Sequence, residues 1–323
     1  MRITGTFLDE ISFDIPHHNW GREEWNRDFA AMKAMGIRRV FLIRCAAGYF
    51  MTYPSQVLPK HGTYHRPPVD LIDLFLDLAE KHDMEFFAGT CHHHSNVADG
   101  HCVKTELEDE IALNKELIAE IQARYGHRKA FAGWYLTHEV RANDPGVIDL
   151  FVEQGTYAKK VSGGKSTMIS PYFAGVKAAA ACGVAALEVL SPEVHAQHWN
   201  QIFSRIAGAV DYVAFQDGHV DYPELSEYLR VTREAANRYG ITCWSNVESF
   251  DRDMPIRFPP IKWEKFLWKL EAAEAAGIGE GITFEFPHFM SPHSMYSSAA
   301  GLYDRYCEYC GLPARAKDFQ SCR

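Results

Sequence analysis

The stretch Phe131–Val140, FAGWYLTHEV, decides the fold. Phe131–Leu136 is an apolar run of the length of a buried strand, and it passes without a break into His138 and Glu139. A central parallel strand, covered on both faces, reads this way when its C-terminal end opens into an active site. A carboxylate there could equally form a salt bridge or cap the next helix. What separates these readings is whether the arrangement recurs.

It recurs seven more times. Short runs rich in β-branched and aromatic residues fall at Ile3–Leu8, Arg39–Arg44, Glu85–Thr90, Ser166–Ser170, Tyr212–Gln216, Thr242–Val247 and Gly281–Phe286. Between and after them lie amphipathic segments at Arg22–Met35, Val69–Lys81, Glu106–Arg124, Val147–Val161, Glu193–Ala207, Pro223–Arg238, Trp263–Ala276 and Tyr296–Tyr309. Gly126, Gly240 and Gly277 follow such segments and are read as left-handed C-caps. The Ala-rich Val176–Leu190 reads as an extra helix. Eight βα units predict an α/β fold, a single (β/α)8 TIM barrel forming one domain over residues 1–323. An open doubly wound sheet would need a glycine-rich loop after the first strand, and LDEISFDIPHHNW stands there instead.

Composition narrows the function classes. The net charge of −9 is spread over helical faces, which argues against nucleic acid or an anionic membrane as the partner. No apolar run of about 18 residues is present to span a bilayer. MRITGTFLDE lacks the apolar core of a secretory signal, and scattered cysteines such as Cys45, Cys91 and Cys243 read as reduced buried thiols. A cytoplasmic protein is expected. Nothing in the pattern sets an oligomeric state.

In a (β/α)8 barrel, chemistry sits at the C-terminal strand ends. Those ends carry Asp9 and Glu10, Arg44, His92 and His94, His138 and Glu139, Tyr172 and Phe173, Asp217 and His219, Asn246 and Glu248, and Glu285 and His288. Glu139 after strand 4 and Glu248 after strand 7 face each other across such a mouth. Two opposed carboxyl groups suit glycoside hydrolysis, one protonating the leaving oxygen and the other attacking the anomeric carbon; retention needs them about 5–5.5 Å apart. The other strand-end residues, with Trp20, form the expected carbohydrate-binding set. Trp134 and Trp244 are read as barrel wall. Tyr49, Tyr53 and Tyr64 lie in the long Ala46–Pro68 loop, which is read as a substrate wall.

The opening ITGTFLDEIS, the NWGREEW…MKAMGIRRVFLIR block, GWYLTHEV and TFEFPHFMSP together resemble the DUF4434 family of barrel proteins assigned to glycoside hydrolysis. The positions of Glu139 and Glu248 are similar to those in the retaining-glycosidase clan with its acid/base at strand 4 and nucleophile at strand 7. That resemblance implies Glu139 as acid/base and Glu248 as nucleophile, with no cofactor. The clan has Asn before the strand-4 glutamate, whereas this chain has His138. Two rivals stand beside this reading. A divalent-metal sugar isomerase or epimerase would use Glu139, Asp217, His219 and Glu285 as ligands, and a non-catalytic carbohydrate-binding barrel would keep only the aromatics. Glu285 is the alternative to Glu248 as the working partner.

Overall fold

The structure, a computed structural model, describes residues 1–12, 15–92, 104–142, 144–177, 188–254 and 258–313. Eight strands close into a barrel in sequential order: β1 (Arg2–Leu8), β2 (Arg39–Leu42), β3 (Glu85–Gly89), β4 (Phe131–Tyr135), β5 (Ser166–Ile169), β6 (Tyr212–Gln216), β7 (Thr242–Glu248) and β8 (Glu280–Phe284). Every pairing between neighbours is parallel, including β1 with β8. The outer helices are α1 (Arg22–Met35), α2 (Leu71–Lys81), α3 (Lys104–Tyr125), α4 (Pro145–Val161), α5 (Pro192–Ile206), α6 (Tyr222–Asn237), α7 (Trp263–Ala275) and α8 (Ser297–Cys310).

Side-chain alternation along the strands explains why they read as unbroken apolar runs. Phe7, Phe41, Phe87, Tyr135, Met168, Ala214, Trp244 and Ile282, one from each strand, pack together inside the barrel. Their neighbours Leu8, Val40, Phe86, Trp134, Ile169, Val213 and Val247 point outward into a second core shared with the helices. Both strand faces are therefore dry. Burying each large apolar side chain contributes roughly 1.5–3 kcal/mol. Gly133 leaves room for a neighbour in the inner layer, since a Cβ there would lie 2.3 Å from the Phe87 ring.

Helix boundaries follow local chemistry. Asp70, Asp144 and Ser191 accept main-chain hydrogen bonds as N-caps of α2, α4 and α5. Gly36 and Gly311 end α1 and α8 in the left-handed conformation. Gly240 and Gly277 have positive φ as expected, but Gly126 does not. The expected helix at Val176–Leu190 falls largely outside the described residues. No helix among the described residues is long and apolar enough to cross a membrane. Cys45, Cys91, Cys243, Cys307 and Cys310 are free, buried thiols.

The long loop after β2 is built rather than loose. Ala46–Ala47 pairs with Phe50–Met51 and with Cys91–His92, joining the loops after β2 and β3 in a small sheet at the mouth. Tyr53 is not a wall residue. It is fully buried, and its hydroxyl donates to Glu120 on α3 at 2.7 Å, beside Ser55 at 2.6 Å. Tyr49 remains exposed.

One core histidine makes stability pH-dependent. His195 is fully buried among Phe173, Trp199, Phe215 and Tyr228. The Thr232 hydroxyl donates to the Tyr228 carbonyl, so it accepts from His195 Nε2–H at 2.8 Å, while the buried Nδ1 has no acceptor for a second proton. Burial first, then neighbouring His198, depresses the imidazole from 6.5 to about 3. The folded state therefore binds fewer protons than the unfolded state, and stability is lost as pH falls below about 6.5 towards 3. The loss reaches about 1.4 kcal/mol at pH 5.5. Urea unfolding at pH 7.5 and 5.5 is expected to show this difference shrinking by that amount in His195→Phe. An unchanged pH dependence would contradict the assignment.

Candidate active site at the mouth of the barrel

Counting by two from the inward residues sorts the strand ends. From Tyr135, the alternation carries Thr137 and Glu139 towards the barrel axis and sends His138 outward. From Trp244, it carries Asn246 and Glu248 inward, and from Ile282 and Phe284 it turns Glu285 out.

Glu139 is ringed by protein, yet its side chain stays open to solvent. Enclosure raises its carboxyl above the ordinary range. The charges of Arg44 and Arg252 and a hydrogen bond from Gln216 oppose that rise, and the negative charge of Glu248 adds to it. Gln216 also donates from Nε2 to the Ser170 carbonyl at 3.0 Å, which fixes the amide.

Glu248 sits in the opposite environment. It is 1% exposed, and Arg252 grips it with two charge-assisted bonds, Nε to Oε2 and Nη2 to Oε1, each 2.6 Å. Burial pushes the carboxyl up, but Arg252, Lys269 and His219 outweigh it and hold the group ionised, below its ordinary pKa. Beneath it, the Asp217 carboxylate accepts from the Glu248 main-chain N–H at 3.0 Å and from Lys269 Nζ at 2.7 Å. Lys269 also donates to the Glu248 carbonyl at 3.1 Å. Both bonds fall on Asp217 Oδ1 and fix the end of β7, while Oδ2 is buried with no hydrogen-bond partner.

The main chain closes over this carboxylate at Gly218. A Cβ there would lie 1.8 Å from Glu248 Oε2 and 2.6 Å from Arg252 Nε. Gly218→Ala is therefore expected to push the carboxylate and guanidinium apart, with an overpacking cost of about 1–3 kcal/mol and a loss of turnover of about 10²-fold. Melting temperature and kcat measured together check this, and wild-type turnover would contradict it.

The remaining expected binding residues divide into open and closed. Glu10, Arg44, His92, Tyr172 and Trp20 are partly exposed. Arg44 Nη1 donates to Ser12 Oγ at 2.7 Å, and the Tyr172 ring lies 4.9 Å from that of His219. Asp9, His138, His219, Asn246, Glu285 and His288 are buried. Asp9 Oδ1 accepts from Ile11 and Ser12 N–H, which turns the chain after β1. Asn246 donates to Ser170 Oγ at 3.1 Å. His94 lies outside the described residues.

Four of the expected residues are engaged by the fold. Glu285 caps the short helix Phe286–Phe289, bonds His288 Nδ1, and accepts from Asp9 N–H at 3.2 Å, so both its oxygens serve the fold. His288 is held with it, its Nε2 against the Pro16 carbonyl at 2.7 Å. Trp20 packs on His18 at 4.0 Å and Trp25 at 5.0 Å, at the edge of the outer core. Phe173, likewise, is fully buried against Phe215 and His195.

For a metal, the one convergent group among the described residues is Glu10, His18 and His288, with ligand atoms within 4.8 Å of one another. Its two imidazole rings lie 3.7 Å apart at a tilt of 44°, their Nε2 atoms engage the Pro287 and Pro16 carbonyls, and their Nδ1 atoms meet Glu10 and Glu285. All four ring nitrogens thus already face protein groups. The four ligands of the isomerase reading, Glu139, Asp217, His219 and Glu285, form no such group among the described residues.

The family pattern described as "Domain of unknown function (DUF4434)" matches residues 3–296. The chain belongs to the DUF4434 family. This DUF4434 chain superposes on the crystal structure described as a "putative alpha-L-fucosidase" from Bacteroides thetaiotaomicron VPI-5482 with a TM-score of 0.89 and 48% identity, over 97% of this chain and 94% of that one. It shares the fold alone with two more distant structures. One is an endo-1,4-beta-D-mannanase from Thermotoga petrophila RKU-1, at TM-score 0.55 and 12% identity over 88% of each chain. The other is an uncultured Clostridium sp. beta-glucuronidase, at TM-score 0.57 and 13% identity over 95% of this chain and 50% of that one. No curated protein sequence gives a significant match.

Three residues around this DUF4434 site were not singled out from sequence: Arg252, Lys269 and Glu110, whose carboxylate lies 3.3 Å from His138 Nδ1. Arg252 carried a signal, since it lies four residues after a strand-end carboxylate. Lys269 carried another, as a lone cation among apolar residues in FLWKLEAA.

Proposed function

We propose that the protein is a glycoside hydrolase acting with retention on an O-glycosidic bond, with Glu139 as acid/base and Glu248 as nucleophile. The observation that carries this reading is the split between the two environments. Glu139 is open to the mouth and driven towards its protonated form, while Glu248 is held ionised by Arg252. Two interacting carboxyl groups pushed apart in pKa are what acid and nucleophile require.

In the first step, Glu139 gives its proton to the glycosidic oxygen as the bond to the anomeric carbon breaks, and a Glu248 oxygen bonds to that carbon. In the second, water attacks the same carbon and passes a proton to Glu139, while the bond to Glu248 breaks and its electron pair returns to the carboxylate. Arg252 takes one lone pair from each Glu248 oxygen, and each keeps another for attack. Asp217 and Lys269 fix the main chain beneath, and Gln216 orients Glu139. No step calls on a cofactor. The substrate is a small carbohydrate or glycoside, and the built loop after β2 favours a closed pocket and exo action. The buried free thiols fit a reducing cytoplasm.

The test is a screen of aryl glycosides, α-L-fucosides first because of the description of the 48% identical relative. Proton NMR then follows the first-formed sugar. Retention of anomeric configuration is the expected result. Inversion would mean a carboxylate gap nearer 6.5–9.5 Å and would remove Glu248 as nucleophile.

A further inference from the structure

Two polar atoms on one side of the mouth are buried without a hydrogen-bond partner, and they complement each other. Asp9, just after β1, is 2% exposed; its Oδ1 accepts from the Ile11 and Ser12 N–H groups, while Oδ2 has no donor. Arg44, just after β2, donates from Nη1 to Ser12 Oγ at 2.7 Å, while its buried Nε–H has no acceptor. Ser12 therefore tethers both side chains, one through its N–H and the other through its hydroxyl.

Both groups belong to the reaction centre. Counting by two from Phe7 in the inner layer brings Asp9 to the barrel axis. Tyr135 lies in that inner layer too, and its hydroxyl feels the charges of Glu139, Arg44 and Asp9. The Glu139 carboxyl in turn feels Arg44. Asp9 and Arg44 thus converge on the floor of the mouth, on the β1–β2 side of Glu139.

Oppositely charged neighbours relieve such a mismatch when they bond each other. Here the tethers to Ser12 leave Oδ2 and Nε unbonded. An unpaired buried group forfeits its hydration with no return, and a charged one forfeits most. One group completes both atoms at once if it donates to Oδ2 and accepts from Nε–H. A hydroxyl does both, whereas a carboxylate only accepts and an ammonium only donates.

We propose that Asp9 Oδ2 and Arg44 Nε clamp one hydroxyl of the sugar bound beside Glu139, which donates its proton to Asp9 and accepts from Arg44. This deepens the glycosidase reading and rests on it for the ligand. The substrate class is a neutral glycoside that presents an unsubstituted hydroxyl towards β1 and β2. A uronic acid presenting its carboxylate there meets Asp9 with no proton to give. Because Ser12 already holds both side chains, little ordering is left to the binding step.

The clamp is tested first without turnover, by crystal structures of the protein soaked in L-fucose, D-galactose and D-galacturonate. The expected result is a neutral sugar with one hydroxyl oxygen within hydrogen-bond distance of both Asp9 Oδ2 and Arg44 Nε. A sugar held in the mouth with only water between the two groups, or a uronate carboxylate seated on Asp9, would overturn the proposal. The second arm takes the glycoside that the screen identifies and its monodeoxy analogues. Removing the clamped hydroxyl is expected to lower wild-type kcat/KM by about 10²-fold or more. Asp9→Asn should lose comparably on the parent glycoside and no longer prefer it to that analogue. Arg44→Lys keeps the charge but not the Nε–H, and gives the same comparison if Asp9→Asn fails to fold. Undiminished discrimination in a well-folded variant would mean that the pair only shapes the loop after β1, and would overturn the clamp. Sugar bound in the clamp without hydrolysis of any glycoside would end the glycosidase reading and leave the clamp standing; neither binding nor hydrolysis would end both.

Discussion

Glu248→Gln is expected to abolish turnover, by about 10⁴- to 10⁶-fold, on activated and unactivated glycosides alike. The amide is nearly isosteric but is a poor nucleophile, and it also unbalances the charges around it. Arg252 would face one amide oxygen and an NH2 group in place of two carboxylate oxygens, leaving a half-buried guanidinium poorly paired. Single-turnover and steady-state rates should fall together, because without the covalent step no leaving group helps. The melting temperature decides whether a loss is chemical. A well-folded Glu248→Gln variant with wild-type kcat would end the assignment.

Glu139→Gln should behave differently, and the difference is the informative part. Removing a general acid typically costs about 10²–10⁴-fold. That cost falls on substrates whose leaving group needs a proton. An aryl glycoside with a good leaving group should keep its first step, show a burst of released phenol, and then stall while the second step lacks its base. The pH profile carries the same signature. Glu139 must be protonated, so kcat/KM falls as pH rises through its raised pKa. Glu248 must be ionised, so kcat/KM falls only at low pH, where its depressed pKa is reached. The alkaline limb is expected to vanish in Glu139→Gln with the activated substrate. If the limb persists, another group is the acid.

Much of this arrangement could be read from the chain. The eight strands were legible because both faces of a parallel barrel strand are dry, and FAGWYL or VAFQ then appears as an unbroken apolar run. The mouth was legible because polar residues stop each run on the same side. The sorting of that mouth was harder. His138 and Glu139 are adjacent, yet one turns to α3 and the other to the axis. Glu248 and Glu285 both follow strands, yet one is gripped by Arg252 and the other caps a helix. Period-two counting from Tyr135, Trp244 and Ile282 separates them, but only once it is known which residues face inward. Trp20 and Phe173 misled for a related reason, since aromatic character near a strand end does not distinguish a sugar platform from a core edge. Lys269, Arg252 and Glu110 act across elements. Their partners, Asp217, Glu248 and His138, lie 52, 4 and 28 positions away; the four-residue step from Glu248 to Arg252 is local, and packing brings the other two pairs together.

The measurement that tests the central claim most directly is trapping of the intermediate. A 2-deoxy-2-fluoro glycoside of the sugar that the enzyme hydrolyses slows the second step more than the first, and peptide mass spectrometry then locates the label. The account predicts one sugar attached to the peptide carrying Glu248, absent from Glu248→Gln and still formed in Glu139→Gln when the leaving group is good. A label on Glu285, Glu139 or another carboxylate would contradict it.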